Sequence, residues 1–561
     1  MRRGVSAFIR RGVLIVRVMP LLLLLFISSG HAAKTGYHDA IASAHPLATA
    51  AGMQVLSEGG NAFDAAVTVA AVLAVVEPYG SGIGGGGLWL LHRAEDGKQV
   101  MLDGRERAPL AASRDMYLDE QGNTVPGLSL NGALSAAIPG QVAAMVHIQQ
   151  HYGSLPLERL LEPAIRYAEQ GFPVHDIFRK LASFRLQVLK QYPAASKTFL
   201  QNGDVPAAGY VVKQPELAQT LRRIARYGRD GFYAGEVADR LVSEVRAAGG
   251  IWSYRDLEQY RVIERSPLEL HWQGMRIIVP GLPSSGGIVL AQILNMLDHF
   301  SWEKLAEEEQ IHLVVEAMRR ALRDRAEYLG DSDYIDVDID KLVSAVHAQA
   351  LTENLDMTSA TPSEFLPPVS VKHAEGRDTT HYSILDRSGN RVASTLSINY
   401  PFGSGYVVPG TGVLLNDEMD DFSIRPGTPN AHGLLGNEAN AIAPGKRMLS
   451  SMTPTFVESD QRMLIVGSPG GSRIITMALQ AIFGFSAGKG ASEIVAMPRY
   501  HHQYLPDYIQ LEPGALSQKI RNQLQLKGHN LKERDSGYGN MQAVMHDYPH
   551  GKTTAASDPR G

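Results

Sequence analysis

The sequence contains no cysteine among its 561 residues, and this absence excludes several kinds of chemistry. Without thiols the chain can form no disulfide, no thiolate zinc site and no iron–sulfur cluster, and it has no cysteine nucleophile. It also lacks a strong charge bias, since 53 Lys and Arg stand against 58 Asp and Glu, so it carries no basic footprint for nucleic acid. With 44% hydrophobic residues the composition is that of a globular protein, built as several domains or as one large one.

Long apolar runs are also scarce, and the one near the N-terminus is short. Residues 21–27 are apolar, follow a stretch with five arginines that ends at Arg17, and precede small residues up to Ala33. This layout is typical of a secretory signal peptide, so we expect residues 1–32 to be removed after Ala32 and the protein to be periplasmic or extracellular. A retained anchor is the alternative, but the run falls well short of the ~20 residues that span a bilayer. No later segment predicts a membrane span.

The order of helical and strand patterns predicts the fold class. Helical patterns cover residues 47–56, 62–76, most of 133–260, and 311–328. Strand patterns cover residues 88–92 and 99–102 and dominate from Thr379 onward. Helix-rich flanks around a strand-rich centre predict an α+β protein, a four-layer αββα sandwich.

Four motifs match known site patterns only in part. The glycines between Gly80 and Gly85 follow a helix and precede a strand, which is the reverse of a dinucleotide site. Residues 484–488 end a helical run and so do not form a nucleophile elbow. The aspartates of residues 331–340 lack the glycine and glutamate of a calcium loop, and we interpret them as a solvated turn. For His501 and His502 we expect a polar surface pair, because no third metal ligand stands near.

Residues 378–399 predict a β-hairpin with its turn at residues 386–390. Centring the turn on residue 388 places Thr379 opposite Ser397, with Asn399 on the same face. A slip of one residue would undo this arrangement. From the pattern alone, a plain hairpin with hydroxyls on its solvent face remains the alternative.

The hairpin begins with a motif that resembles a known family. Residues 379–383, Thr-Thr-His-Tyr-Ser, resemble the self-cleavage motif of the gamma-glutamyltranspeptidases, which are N-terminal-nucleophile hydrolases. Further blocks resemble the family's in the same order, and the resemblance extends from about residue 38 to the end. These blocks are residues 59–66, 84–87, 415–423, 444–447, 449–452, 467–473 and 556–560.

The resemblance implies that Thr379 cuts the Asp378–Thr379 bond, leaving a large subunit of residues 33–378 and a small subunit of residues 379–561. The chemistry explains why the cut is needed. An internal Thr has no base in its own backbone, whereas a chain-terminal Thr has an α-amine of pKa roughly 7.7–8.0 that can take the hydroxyl proton. His381 is the other nearby group that titrates near neutral pH when unperturbed.

A γ-glutamyl group carries an α-carboxylate and an α-ammonium, so its pocket needs a cation and an anion. By resemblance Arg105 binds the carboxylate, through a planar fork that Lys lacks, and Asp421 binds the ammonium. The resemblance adds four further substrate-binding residues: Asn399, Glu418, Ser450 and Ser451.

The resemblance also assigns groups around the reacting carbonyl. Gly470 and Gly471 would form the oxyanion hole, between a strand and the start of a helix whose N-terminus favours anions. Ser397 stands where relatives often have Thr and would hydrogen-bond Thr379. His432 stands where the family's lid would have an aromatic gate, which leaves lid closure open.

The function implied is a self-processing enzyme that takes the γ-glutamyl group of glutathione or related amides onto Thr379. Water or an amino acid or peptide would then accept the group, with no metal or organic cofactor. One alternative is an acylase of the same family acting on cephalosporin-like amides, which would leave Arg105 and Asp421 unpaired. The other is a non-catalytic binding protein on this fold, against which an intact Thr379 and both glycines argue.

Overall fold

A computed structural model describes residues 36–366, 379–425, 427, 430–431 and 433–561. The expected signal peptide, Asp378 and His432 lie outside the described residues. Within them, no helix combines the length and apolar character needed to cross a membrane.

Strands of two large antiparallel sheets form the centre of the molecule. The first sheet has the order β1-β9-β10-β2-β3-β6 and the second the order β19-β18-β14-β13-β8-β7. The strands are β1 Ala40–Ser43, β2 Gly86–His92, β3 Gln99–Gly104, β4 Phe172–Pro173, β5 Val211–Val212, β6 Ile263–Arg265, β7 Leu268–Trp272, β8 Met275–Val279, β9 Thr380–Leu385, β10 Arg391–Ser397, β11 Val407–Val408, β12 Val413–Leu414, β13 Thr455–Glu458, β14 Arg462–Gly467, β15 Tyr500–His501, β16 Ile509–Leu511, β17 Leu531–Glu533, β18 Gln542–Asp547 and β19 Lys552–Ser557.

Helices cover the outer faces of both sheets. The first sheet packs against α1, α2 and α3, and the second against α11, α15 and α16. The helices are α1 Pro46–Ser57, α2 Ala62–Val76, α3 Gln141–Tyr152, α4 Leu157–Gln170, α5 Asp176–Gln191, α6 Pro193–Phe199, α7 Pro215–Tyr227, α8 Asp230–Tyr233, α9 Gly235–Ala247, α10 Tyr254–Gln259, α11 Gly286–Leu297, α12 Glu307–Tyr328, α13 Ile339–Leu342, α14 Ala345–Thr352, α15 Ile474–Ser486, α16 Ala491–Ala496 and α17 Gln518–Leu526.

The inner faces of the two sheets share one apolar core. Leu90 and Ala393 of the first sheet belong to the same buried cluster as Ile278, Phe456 and Ile465 of the second. Helix, sheet, sheet and helix therefore lie in four layers, and the predicted αββα sandwich is confirmed.

Helix α2 illustrates how the sequence sets a layer. Every residue of α2 is buried, as its apolar composition predicts. At its start, the side chain of Asn61 accepts hydrogen bonds from the backbone N–H groups of Phe63 and Asp64, and Asp64 accepts one from the N–H of Asn61. This capping box satisfies the first donors of a helix whose residues are all buried.

The hairpin of β9 and β10 has the predicted register. Leu385 pairs with Arg391 and Thr380 with Leu396, which is the alignment that centres the turn on residue 388. In the turn, the Asp386 carboxylate accepts the N–H groups of Ser388 and Asn390, both at 2.9 Å. The same carboxylate accepts the N–H of Ala62 at 2.9 Å and so ties the turn to the start of α2.

Two expectations about polar residues are wrong. His501 and His502 are buried, not on the surface: His501 Nδ1 lies 2.8 Å from Thr476 Oγ1, and His502 Nε2 lies 3.1 Å from Asp507 Oδ1. Burial lowers the pKa of His501 to about 3 and that of His502 to about 4. Asp331 is also buried, where its carboxylate accepts the N–H of Arg447, so the aspartate turn is solvated only in part.

The shared core between the sheets yields a stability prediction. Phe456→Ala removes a fully buried ring and leaves a cavity, so we expect a loss of about 3–5 kcal/mol in the free energy of unfolding. The same truncation at Phe365, whose side chain is 75% exposed, should cost less than about 0.5 kcal/mol. Urea unfolding followed by circular dichroism measures both, and equal midpoints for the two variants would contradict the packing described.

Candidate active site

Thr379 immediately precedes β9 and lines two cavities. The first, which we call the small pocket, has a volume of about 20 Å³ and includes Arg105 and Asp421 in its lining. The second, the large cavity, has a volume of about 170 Å³ and includes Gly470 and Tyr538. A side chain at position 379 therefore stands where two spaces of different size and lining meet.

The small pocket brings together most of the site residues that the sequence predicts. They come from five separate parts of the chain: the end of β3, the end of β10, a 3₁₀ turn at Glu418–Asp421, the loop before β13, and the turn after β14. The predicted residues that line it with Thr379 are Arg105, Ser397, Asn399, Glu418, Asp421, Ser450, Ser451 and Gly471.

Gly470 and Gly471 form the turn between β14 and α15. Their φ angles are +144° and +57°, a region that L-residues with side chains rarely adopt. A Cβ on Gly470 would also lie 2.7 Å from Met477 Cε. Gly470 lines the large cavity and Gly471 the small pocket, so this turn borders both spaces, close to the N-terminal end of α15, where backbone N–H groups favour an anion.

Arg105 is the centre of a buried charge cluster. Its Nη2 donates to Asp421 Oδ2 at 2.5 Å, and its Nη1 lies 2.6 Å from Glu418 Oε2 and 3.3 Å from Glu106 Oε2. The guanidinium is only 1% exposed. The cation and the anion that we predicted for the two ends of a glutamyl group thus contact each other directly.

Acids outnumber cations around this cluster, and burial raises the pKa of three of them. Burial raises the pKa of Glu418 well above its usual value, although Arg105 opposes the shift. It raises the pKa of Glu106 to about 7 and that of Asp420 to about 6. Some of these carboxyl groups are therefore protonated near neutral pH, because Arg105 cannot compensate several carboxylates at once.

Arg325 is a member of the small pocket that our sequence analysis missed. It lies on α12, and its Nε donates to Ser285 Oγ at 2.9 Å while its Nη2 donates to Ser451 Oγ at 3.2 Å. Burial lowers its pKa to about 10, so it remains a cation at neutral pH. The sequence of this helix carried no signal for Arg325, because the burial of its charged residues, including Glu316 and Asp324, becomes visible only in the fold.

The end of β10 shapes the wall beside Thr379. The Ser397 hydroxyl accepts the backbone N–H of Asn399 at 2.7 Å. Asn399 has φ of +74°, a left-handed conformation that Asn tolerates better than most residues, and its Nδ2 donates to the carbonyl of Asp417 at 3.0 Å. This turn points the chain away from the sheet and fixes Asn399 in the wall of the small pocket.

Two titratable groups lie near Thr379, and they behave differently. His381 is fully buried between the sheets, with Nδ1 2.9 Å from Thr395 Oγ1, and burial lowers its pKa to about 3. Glu77, at the end of α2, lines the large cavity and accepts the Thr380 hydroxyl at 2.7 Å. Burial raises the pKa of Glu77 to about 7, so Glu77, which our sequence analysis missed, titrates near neutral pH and His381 does not.

One cluster of potential metal ligands occurs among the described residues, away from both cavities. Ligand atoms of His312, Glu316 and His529 lie within 4.8 Å of one another. However, Glu316 is already bound by Arg320 at 2.5 Å, and His312 Nε2 lies 2.8 Å from the carbonyl of Asp356. This cluster is an internal polar network beside two arginines, and their positive charges would repel a metal cation placed there.

Comparison with known proteins identifies the architecture around this site. The family model for gamma-glutamyltranspeptidase matches residues 48–561. The chain is 39% identical to the glutathione hydrolase proenzyme of Escherichia coli (strain K12), covering 93% of this chain and 90% of that one. It is 41% identical to the glutathione hydrolase proenzyme of Pseudomonas aeruginosa, covering 95% of each. Among solved structures, cephalosporin acylase from Bacillus halodurans superposes with a TM-score of 0.82 at 27% identity, over 94% of this chain and 95% of that one. The chain belongs to the gamma-glutamyltranspeptidase family.

Proposed function

We propose that this enzyme transfers the γ-glutamyl group of glutathione or related amides to Thr379, and from there to water or to an amino acid or peptide. The observation that carries the proposal is the lining of the small pocket, where a buried guanidinium and carboxylates stand beside Thr379. A glutamyl head, with one negative and one positive group on the same carbon, matches that lining.

Binding requires an exchange of partners at Arg105. In the described state Asp421 occupies Nη2 of Arg105, and the small pocket holds little free volume. The substrate carboxylate takes the place of Asp421 on the guanidinium, and the substrate ammonium then pairs with the released Asp421. Each buried charge keeps a partner, so the exchange avoids the cost of an unpaired charge.

Arg325 and the two serines complete the carboxylate site in this proposal. Ser450 and Ser451 are buried in the wall of the pocket, and Arg325 holds the hydroxyl of Ser451. Their hydroxyls can donate to the second carboxylate oxygen, and the charge of Arg325 behind Ser451 strengthens that donation.

The reaction proceeds by acyl transfer. The α-amine of Thr379 takes the hydroxyl proton while Oγ bonds to the γ-carbonyl carbon, and the oxyanion that forms is stabilised by N–H groups of the Gly470–Gly471 turn. The C–N bond then breaks, and the leaving nitrogen receives the proton from the α-ammonium. Water or an acceptor amine attacks the ester, gives its proton to the α-amine, and the proton returns to Oγ as the C–O bond breaks.

We further propose that the α-amine arises by cleavage at Asp378–Thr379, into subunits of residues 33–378 and 379–561, after export and removal of residues 1–32. The sheet orders support this arrangement, because each sheet contains strands from both sides of the cut. In the first sheet β9 and β10 lie between β1 and β2, and in the second β13 pairs with β8. The two subunits would remain joined by backbone hydrogen bonds after cleavage.

The acylase alternative is less well supported by the pocket. An acyl group without an α-amino acid head would supply neither the carboxylate nor the ammonium that replaces the contact of Arg105 with Asp421, so this contact would continue to fill the small pocket. The cephalosporin acylase is 27% identical to this chain, whereas the two glutathione hydrolase proenzymes are 39% and 41% identical.

The first prediction from the proposed function concerns self-cleavage. Thr379→Ala removes the hydroxyl that would attack the carbonyl of Asp378, so we expect a folded chain that stays uncut on a denaturing gel. Thr379→Ser keeps a hydroxyl and is the matched control, which should yield two bands. Two-band processing of Thr379→Ala would refute self-cleavage by this residue.

The second prediction concerns Arg105. Arg105→Lys keeps the positive charge but loses the fork, so we expect KM for γ-glutamyl-p-nitroanilide to rise roughly 10- to 100-fold, since a hydrogen bond to a charged group contributes about 1.5–3 kcal/mol. Processing should change far less. Arg114→Lys, at a surface ion pair with Glu438, is the control and should leave KM within about twofold. An unchanged KM in Arg105→Lys would remove Arg105 from carboxylate binding.

The third prediction concerns pH. Because the α-amine of Thr379 must be neutral to accept the hydroxyl proton, kcat/KM should rise between roughly pH 6 and 9. His381 has a pKa of about 3 and is already neutral throughout that range, so His381→Gln should retain the rise. Loss of the rise in His381→Gln with processing intact would make histidine the base.

Glu77 requires the same test, because its pKa of about 7 falls within the pH range of the expected rise. Glu77→Gln should also keep the rise, since the carboxyl is not the proposed base. If the rise disappears in Glu77→Gln while persisting in His381→Gln, the titrating base is Glu77 and not the α-amine.

A further inference from the structure

Strand β9 begins at Thr380, one residue after Thr379, and its first two residues lie beyond the end of β1. On one side β10 pairs with β9 from Leu385 back to Thr380. On the other side β1 pairs with β9 only from Leu385 back to Tyr382. The backbone next to Thr379 therefore has fewer ladder contacts than the middle of the strand.

The side chain of Thr380 provides a further restraint on this segment. Its hydroxyl donates to Glu77 Oε2 at 2.7 Å, and both residues are buried. Glu77 Oε2 and the carbonyl oxygen of Thr379 both border Gly80, where a Cβ would lie 3.6 Å from the first and 3.7 Å from the second. The carboxyl of Glu77 thus restrains the start of β9 through a contact outside the sheet.

The position of Glu77 is itself well fixed. This residue follows α2, where its N–H donates to the carbonyl of Leu73 at 2.8 Å, and its own carbonyl accepts the N–H groups of Gly80 and Ser81 at 2.9 and 3.1 Å. Its carboxyl accepts a second hydroxyl, that of Tyr79. Because α2 is buried throughout, the contact of Glu77 with the strand joins β9 to a rigid element.

A carboxyl group at this position is unfavourable for folding. Burial raises the pKa of Glu77 to about 7, and the hydroxyls of Thr380 and Tyr79 oppose that shift only in part. Replacing both a buried carboxyl and its hydroxyl partner with apolar groups of the same shape is often nearly neutral for stability. Polar groups that lower the stability of the fold are expected at functional sites, so Glu77 calls for a functional explanation.

We propose that Glu77 is a positioning residue for the reaction at Thr379, and that it acts by holding the hydroxyl of Thr380. This inference rests on the proposed function. Cleavage before Thr379 would make that residue a chain end, and chain ends are poorly ordered unless they are tied down. Acyl transfer requires Oγ to approach the reacting carbon closely, and a misplacement of about 1 Å can slow a reaction roughly 100-fold. The bond from Thr380 to Glu77 restrains the chain one residue from that end.

The central test is Thr380→Val, which removes the hydroxyl and keeps the shape of the side chain. We expect kcat for γ-glutamyl-p-nitroanilide, measured per cleaved enzyme, to fall about 10- to 100-fold, and self-cleavage of the precursor to become slower. The competitive inhibition constant of free glutamate should stay within about twofold, because the lining of the small pocket is unchanged. A precursor that folds, as judged by circular dichroism, and stays uncut would also support the inference.

Conservative variants should retain most of the rate. Thr380→Ser keeps the hydroxyl and Glu77→Gln keeps an acceptor oxygen, so each should show kcat within about threefold of the wild type. Glu77→Leu removes the acceptor and should behave like Thr380→Val. A variant with both Glu77→Leu and Thr380→Val should lose no more than the larger single loss, because the two substitutions remove the same bond.

Thr68→Val is the matched control. Thr68 is a buried threonine of α2 whose hydroxyl donates to the carbonyl of Leu160 at 2.9 Å, and it lines neither of the two cavities. The same substitution should lower the melting temperature here as well but leave kcat within about twofold. An equal fall of kcat in Thr68→Val, an inhibition constant that rises in parallel with the loss of kcat in Thr380→Val, or an unchanged kcat in Thr380→Val would overturn the inference.

Failure of the proposed function gives a different result. A wild-type chain that neither cleaves before Thr379 nor releases p-nitroaniline would contradict both proposals. Normal cleavage and release in the wild type, with the same rates in Thr380→Val, would contradict only the positioning role of Glu77.

Discussion

The pairing of β9 with β1 on one side and β10 on the other is the constraint on which the site depends. It places a strand that starts at Thr380 inside a six-stranded sheet, with helices on one face and a second sheet on the other. Thr379 therefore lies at the start of that strand, next to the C-terminal ends of β3 and β10. Because a shift of one residue would turn every side chain of β9 to the opposite face, the position of Thr379 is as well determined as the core itself.

Burial of the charge cluster at Arg105 lowers the stability of the fold, and the proposed binding role gives a reason for keeping the cluster there. Moving a guanidinium and several carboxylates out of water costs several kcal/mol per ion, and their attraction repays this only in part. The raised pKa values of Glu106 and Asp420 reflect the part of this desolvation energy that ion pairing does not offset. A ligand that brings its own carboxylate and ammonium supplies one more partner of each sign. The cluster therefore favours a zwitterionic head over a neutral one of the same size.

Much of this arrangement could be predicted from the sequence, and the remainder could not, for physical reasons. The hairpin register followed from its turn, because local geometry sets the pairing. Helix α2 could be recognised as buried from its composition. Contacts between distant segments could not be predicted. Nothing in the pattern of α12 places Arg325 against Ser451. Nor does a pair of adjacent histidines indicate that Thr476 and Asp507 contact them. The direct contact of Arg105 with Asp421 was missed because the resemblance supplied each residue's role but not the distance between them.

The two spaces at Thr379 differ in how the charges of their linings are arranged. In the small pocket Arg105 contacts Asp421, Glu418 and Glu106, so a ligand that breaks one of these contacts without replacing it leaves a buried charge behind. The large cavity is wider, and two of its arginines, Arg473 and Arg534, lie within cation–π distance of the Tyr538 ring. In the reaction that we propose, the acyl group would therefore meet a strict selection, because its head must replace buried ion pairs before the γ-carbonyl can reach Thr379.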